Sequence, residues 1–156
     1  MAFLTLEHTR YTGLRRRTKA REYALQILYQ IDITNDPCGE VLDRFWQGAK
    51  CNPEVRSFAT QLVQGTYDNL TEIDAFISRY SENWEIDRMP IIDRNILRFA
   101  IYELLYRDDI PPKVTINEAV DLANKFSTQN SGRFVNGILD KIMAYKESSN
   151  RSSIIA

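Results

Sequence analysis

The stretch Pro90 to Asp108, PIIDRNILRFAIYELLYRD, decides the fold. Its apolar residues Ile91, Ile92, Ile96, Leu97, Phe99, Ala100, Ile101, Leu104 and Leu105 recur at helical rather than alternating spacing, and they cover most of a helix circumference. A helix apolar on nearly every side must be surrounded by other elements, so this segment reads as the central helix of an all-α domain. Pro90 suits the first helical turn, and Pro111-Pro112 stops the helix because proline cannot donate to the preceding turn.

Working outward, five further segments carry the same periodicity and none alternates as a half-buried strand does. The first is predicted from Arg15 or Thr18 to Ile33, with Ala20, Tyr23, Ala24, Ile27, Leu28 and Ile31 forming one stripe. After the turn Asn35-Asp36-Pro37-Cys38-Gly39, a second runs over about Glu40 to Ala49 on Val41, Leu42, Phe45 and Trp46. Asn52-Pro53-Glu54 supplies a cap, a helix-opening proline and an acid at the positive dipole end. A third helix therefore starts there and extends towards Tyr80, with a break expected near Gly65 or at Thr71. Residues 81 to 89 read as a connector containing at most a short turn.

Beyond the central helix, Thr115-Ile116-Asn117-Glu118 has the spacing of a capping box and is expected to start a fifth helix through Val120, Ala123 and Phe126. A sixth follows Ser131-Gly132 on Phe134, Val135, Ile138, Leu139 and Ile142. Gly137 inside it suggests a close helix approach, since a mid-helix glycine costs about 1 kcal/mol relative to alanine. The polar, Ser-rich end from Glu147 to Ala156 is expected to be mobile. No low-complexity linker divides the chain, so one domain is expected; if the helices pack as two halves, residues 81 to 90 are the place for a hinge.

At 156 residues such a domain can bury roughly 68 to 70% of its unfolded surface without disulfides or metals. Its 44% apolar and 26% charged content is that of a globular chain, not a disordered one. The net charge of -1 conceals an asymmetry: six basic residues against Glu7 alone in the first 21 give +5, and the remainder carries -6. Arg15, Arg16, Arg17, Lys19 and Arg21 form most of the basic run. Arginine binds phosphate through a planar fork and stacks on unpaired bases, so the run reads as a polyanion contact, with a solvated tail as the plain alternative. Tyr11, Tyr23 and Phe134 are candidate stacking faces, or else core aromatics.

Other classes find little support. Cys38, Cys51 and His8 cannot assemble a zinc site of the usual kind, so no metal and no cofactor are expected. Free thiols in a reducing cytosol are the simplest reading, with a single disulfide left open. There is no Walker loop, no dinucleotide fingerprint and no nucleophile elbow, so the chain reads as no enzyme, without catalytic residues. Charges interrupt every apolar run before the ~20 residues needed to span a bilayer. The basic start is a poor secretory signal; an organelle transit peptide is the alternative. Asp87, Arg88, Asp93, Arg94, Arg98 and Glu103 decorate the central helix, where they either pair among themselves or form a partner surface.

Three stretches together carry a resemblance. They are Arg15 to Tyr29 (RRRTKAREYALQILY), Ile92 to Glu103 (IDRNILRFAIYE) with Ile110 to Ala119 (IPPKVTINEA), and Phe134 to Lys141 (FVNGILDK). The chain resembles the NusB family of bacterial transcription antitermination factors over roughly Arg15 to Met143. That resemblance implies six to seven helices in two packed bundles, with residues 15–147 as the family domain. Residues 1–14 are then a flexible extension, and 148–156 a mobile tail. It implies binding of single-stranded boxA RNA from ribosomal RNA leader transcripts together with NusE, a small-subunit ribosomal protein, within the RNA polymerase antitermination complex in the cytoplasm. On the same basis Arg15, Arg16, Arg17, Lys19 and Arg21 contact RNA with help from Asn130, Arg133 and Phe134. Tyr29 and Asp93 match positions used against the protein partner, Asp93 being shorter than the glutamate common there. A monomer and a homodimer both remain open. Because such domains also occur fused to ribosomal RNA cytosine methyltransferases, the nearest enzyme reading is a portion of one; a helical interaction module without RNA is the third.

Overall fold

The computed structural model describes the backbone of residues 2–82 and 84–155, and the side chains of 13–82 and 84–151. Seven α-helices and one 3₁₀ turn account for its regular structure, with no strand among the described residues. They are α1 (Ala2–Thr34), α2 (Cys38–Gly48), α3 (Pro53–Asp68), α4 (Leu70–Tyr80), the 3₁₀ turn Ile86–Arg88, α5 (Ile91–Tyr106), α6 (Pro112–Phe126) and α7 (Ser131–Ile155). The chain divides into two compact units between Gln64 and Gly65, inside α3. The hinge expected at residues 81 to 90 is therefore not where the units part.

In the first unit, the stripe of α1 is buried at Ala20, Ala24, Leu25, Ile27, Leu28 and Ile31. Val41, Leu42 and Trp46 of α2 and Val55, Phe58, Ala59 and Leu62 of α3 are buried as well. Tyr23, Phe45 and Trp46 meet edge to face, an arrangement that sets the positive ring edge against the negative ring face. The indole N–H of Trp46 donates to Thr60 Oγ1 at 3.2 Å, satisfying the one polar atom of a buried ring.

Helix α1 starts at Ala2, well before the expected Arg15 or Thr18, because nothing in the first 34 residues stops a helix except Gly13. It ends at Asn35, whose positive φ of 57° places it in the left-handed region that asparagine tolerates better than most residues. The cap anticipated for α3 is present: Asn52 Oδ1 accepts the N–H of Glu54 at 2.8 Å.

The second unit is built on α5, where Ile96, Leu97, Phe99, Ala100, Ile101 and Leu104 are all buried. Helices α4, α6 and α7 pack around it. The break before α4 falls at Asn69, whose Nδ2 donates to Gly65 O at 2.8 Å, and Thr71 lies inside the helix. The Thr115–Glu118 pattern is not a cap either. Proline at 112 already opens α6, which leaves Thr115 free to donate from within the helix to buried Glu103 at 3.0 Å.

Charges of α5 reach neighbouring elements. Arg98 makes a bidentate pair with Asp74 of α4 at 2.9 and 3.0 Å, and Arg94 donates to Ile86 O. Tyr106 donates to Glu72, and that hydrogen bond, with some burial, pushes the phenol up to about 12. The close approach predicted at Gly137 is absent, since a Cβ there would meet nothing within 4 Å; at Gly65 a Cβ would run into the Tyr102 ring. The last helix continues through the Ser-rich stretch expected to be mobile, and Lys146 ties it to Leu104 O of α5 and to Asp108 just beyond that helix. Among the described residues no helix is long and apolar enough to cross a membrane.

Candidate nucleic-acid interface

The basic run lies on α1 in the first unit, and its members differ sharply in exposure. Arg15, Arg17 and Lys19 are exposed, Arg16 is half-buried and Arg21 is wholly buried. Arg16 Nη1 pairs with Glu54 Oε2 at 2.9 Å, and Lys19 Nζ pairs with Glu22 Oε2 at 3.4 Å while lying over the Tyr23 ring. The guanidinium groups of Arg17 and Arg21 both sit over Phe58, at 4.8 and 5.3 Å from its centroid. Such a cation over a ring is drawn to the negative ring face, more strongly where water is excluded.

The expectation that Arg21 is a direct phosphate contact therefore needs correction. A side chain at 0% exposure has no surface to present, and its position on Phe58 makes it part of the packing beneath the run. Tyr29, further along α1, does keep 38% of its surface exposed, with Ile33 one turn on at 51%. Of the stacking candidates, Tyr23 belongs to the aromatic cluster of the first unit, and the side chain of Tyr11 lies outside the described residues.

The second unit brings Asn130, Phe134 and Asp93 to one place. The α6–α7 turn is closed by Ser131 N–H to Thr128 O at 3.0 Å and by Phe134 N–H to Asn130 O at 3.2 Å. Beneath it the Asp93 carboxylate accepts hydrogen bonds from Ser127 Oγ and, at 2.9 Å, from Ser131 Oγ. Charge-assisted bonds of this kind are roughly twice as strong as neutral ones, so they fix the start of α7. Asp93 is only 3% exposed, so its expected role as a direct partner contact is also corrected: both its oxygens are spent inside the fold.

A cavity of about 360 Å³ opens over this network, walled by Trp84 and Phe134 with Asn130 and Thr128 at its rim. A second, of about 230 Å³, shares the same two aromatic residues and includes Arg133 and Lys141. Sequence reasoning missed Trp84, which it left in a connector. The one available signal was a large aromatic side chain among Glu82, Glu85 and other polar residues, where burial gives no reason for it. It also missed Ser127, Ser131 and Phe58, which act by holding Asp93 and the two arginines.

A basic helix in one unit and an aromatic, amide-rimmed cavity in the other define a small all-helical binding protein of the two-unit kind. The NusB family model matches residues 18–144, and the chain belongs to the NusB family. The transcription antitermination protein NusB of Thermodesulfovibrio yellowstonii is 46% identical over 148 residues, covering 88% of this chain and 98% of its own. That of Myxococcus xanthus is 48% identical over 130 residues, covering 81% and 93%. Among solved structures, T. maritima NusB superposes with a TM-score of 0.74 at 38% identity, covering 83% of this chain and 90% of its own. A crystal structure of antitermination factors NusB and NusE in complex with double-stranded RNA superposes with a TM-score of 0.77 at 30% identity, covering 84% and 98%.

Proposed function

We propose that this chain is a transcription antitermination factor that binds single-stranded boxA RNA of ribosomal RNA leader transcripts together with NusE. Within the RNA polymerase antitermination complex it then supports processive transcription of ribosomal RNA operons. The observation that carries this reading is the likeness, over most of both chains, to a NusB held in one complex with NusE and RNA.

In this reading Arg15, Arg16, Arg17 and Lys19 neutralise backbone phosphates, and Arg21 supports them from below. Asn130, Arg133 and Phe134 contact the RNA from the α6–α7 turn, and the exposed Tyr29 ring meets NusE. Phosphate contacts carry the salt dependence and base contacts the selectivity. Four neutralised phosphates of a single strand give a slope of log K against log salt of about -3, or roughly 60-fold weaker binding between 50 and 200 mM salt.

Filter binding to boxA RNA over that salt range, with and without NusE, tests the proposal. The intact protein binds more tightly when NusE is present. Replacing Arg15, Arg16 and Arg17 together with alanine weakens binding and brings the slope towards -1. An unchanged affinity and slope would remove the basic run from the interface.

A further inference from the structure

Trp84 is 52% exposed, yet its backbone is firmly held: its N–H donates to Ser81 O at 2.7 Å, and buried Ser81 returns its hydroxyl to Trp84 O at 3.0 Å. An indole on a held backbone with half its surface in water forgoes the stabilisation that burial would give the folded chain alone. Its ring centroid lies 6.2 Å from that of Phe134 with the planes 67° apart, and the pair lines both cavities. The larger, at about 360 Å³, is within the size range of small-ligand sites.

Three polar groups around the pair have no partner among the described residues. The Asn130 carboxamide, the Arg133 guanidinium and the Trp84 indole N–H make no hydrogen bond or ion pair among the described residues, whereas the carboxylate of Asp93 below them is fully engaged. Charge assigns each cavity a different guest. The Asp93 carboxylate lines the larger one and repels a phosphate, leaving it to a neutral planar group; in the smaller one Lys141 pairs with Glu82 at 3.3 Å, and Arg133 leaves a net positive charge that attracts the anion.

Resting on the RNA reading above, we propose that Trp84 and Phe134 form a pocket for a single unpaired nucleobase. The base lies against the indole in the larger cavity and pairs its edge with the Asn130 carboxamide. The adjoining phosphate is held by Arg133 beyond the aromatic pair. A carboxamide offers one donor and one acceptor side by side, the complement of an adenine edge presenting N6 and N7. Aromatic stacking of this kind requires the base to be free of a duplex.

The chain has two tryptophans, so a Trp46→Phe background leaves Trp84 as the only indole reporter. Titrating single-stranded boxA RNA into that protein quenches its fluorescence, while a duplex of the same sequence does not. In filter binding Trp84→Ala weakens single-stranded RNA roughly tenfold with the salt slope unchanged, and Trp84→Phe recovers most of the loss. If the unsubstituted protein binds no RNA at any salt, both the RNA reading and this pocket are overturned. If it binds but Trp84→Ala binds equally well and the indole is not quenched, the pocket alone is overturned.

Discussion

The basic segment of α1 and the α6–α7 turn are both rich in groups suited to RNA, yet they hold those groups in opposite states. On α1 the cations are already occupied: Arg16 by Glu54, Lys19 by Glu22, Arg17 and Arg21 by the ring of Phe58. At the turn the buried carboxylate is engaged, and the groups at the surface are open. On the RNA reading proposed above, a phosphate arriving at α1 must compete with the carboxylates of Glu54 and Glu22, which lowers net affinity. On the same reading, a base arriving at the turn meets an Asn130 carboxamide that has no partner to give up among the described residues. In that proposal the first region sets how strongly any RNA is held, and the second which RNA is kept.

The sharpest way to break this comparison is to attack the packing under each region. Arg21→Ala removes a wholly buried side chain from the ring of Phe58 and is expected to cost about 3 kcal/mol of stability in chemical denaturation. A loss under about 1 kcal/mol would mean that Arg21 is not a packing element, and would return it to the list of phosphate contacts. Next in size is Asp93→Ala, which takes away the acceptor for two hydroxyls and is expected to cost about 2 kcal/mol. Its effect on RNA has a diagnostic sign. If Asp93 serves by fixing the turn, filter binding weakens; if it were only a negative charge near the RNA, removing it would tighten binding. The smallest effect belongs to Glu54→Gln. Arg16 and Glu54 keep 41% and 74% of their side-chain surface exposed, so this screened pair contributes less than about 0.5 kcal/mol to folding. Freed of its competitor, Arg16 is expected to bind RNA about twofold more tightly at low salt, and equal affinity would show that the pairing does not oppose RNA.

Much of the fold was legible in the sequence because period and punctuation are local. The apolar residues of α5 announced a central helix, and Asn52-Pro53 announced the start of α3. Errors arose where two local signals competed and only packing decided. Thr115 and Glu118 have the spacing of a cap, but Pro112 comes first in the chain, and the threonine hydroxyl serves Glu103 instead. Gly137 and Gly65 look alike as mid-helix glycines, and only the Tyr102 ring distinguishes them. The candidate site was legible by residue type and not by state. A charge count cannot see that Phe58, far along the chain, draws Arg21 inside, nor that two serines consume the Asp93 carboxylate. For Trp84 the sequence offered only an aromatic residue among polar ones, because the ring it meets, Phe134, is supplied by a different helix.

The order of these groups along the chain bears on how the protein is made. The cations of α1 and their partners Glu22, Glu54 and Phe58 precede Gly65, whereas the Trp84–Phe134 walls await α7, the last helix. Synthesis proceeds from the N-terminus, and early segments settle before later ones emerge. A nascent chain grows beside ribosomal RNA, the most abundant polyanion in its surroundings. If the basic run and the turn act on RNA as proposed, carboxylates that reach the arginines during translation shield them from premature capture, and selectivity comes only with the final helix.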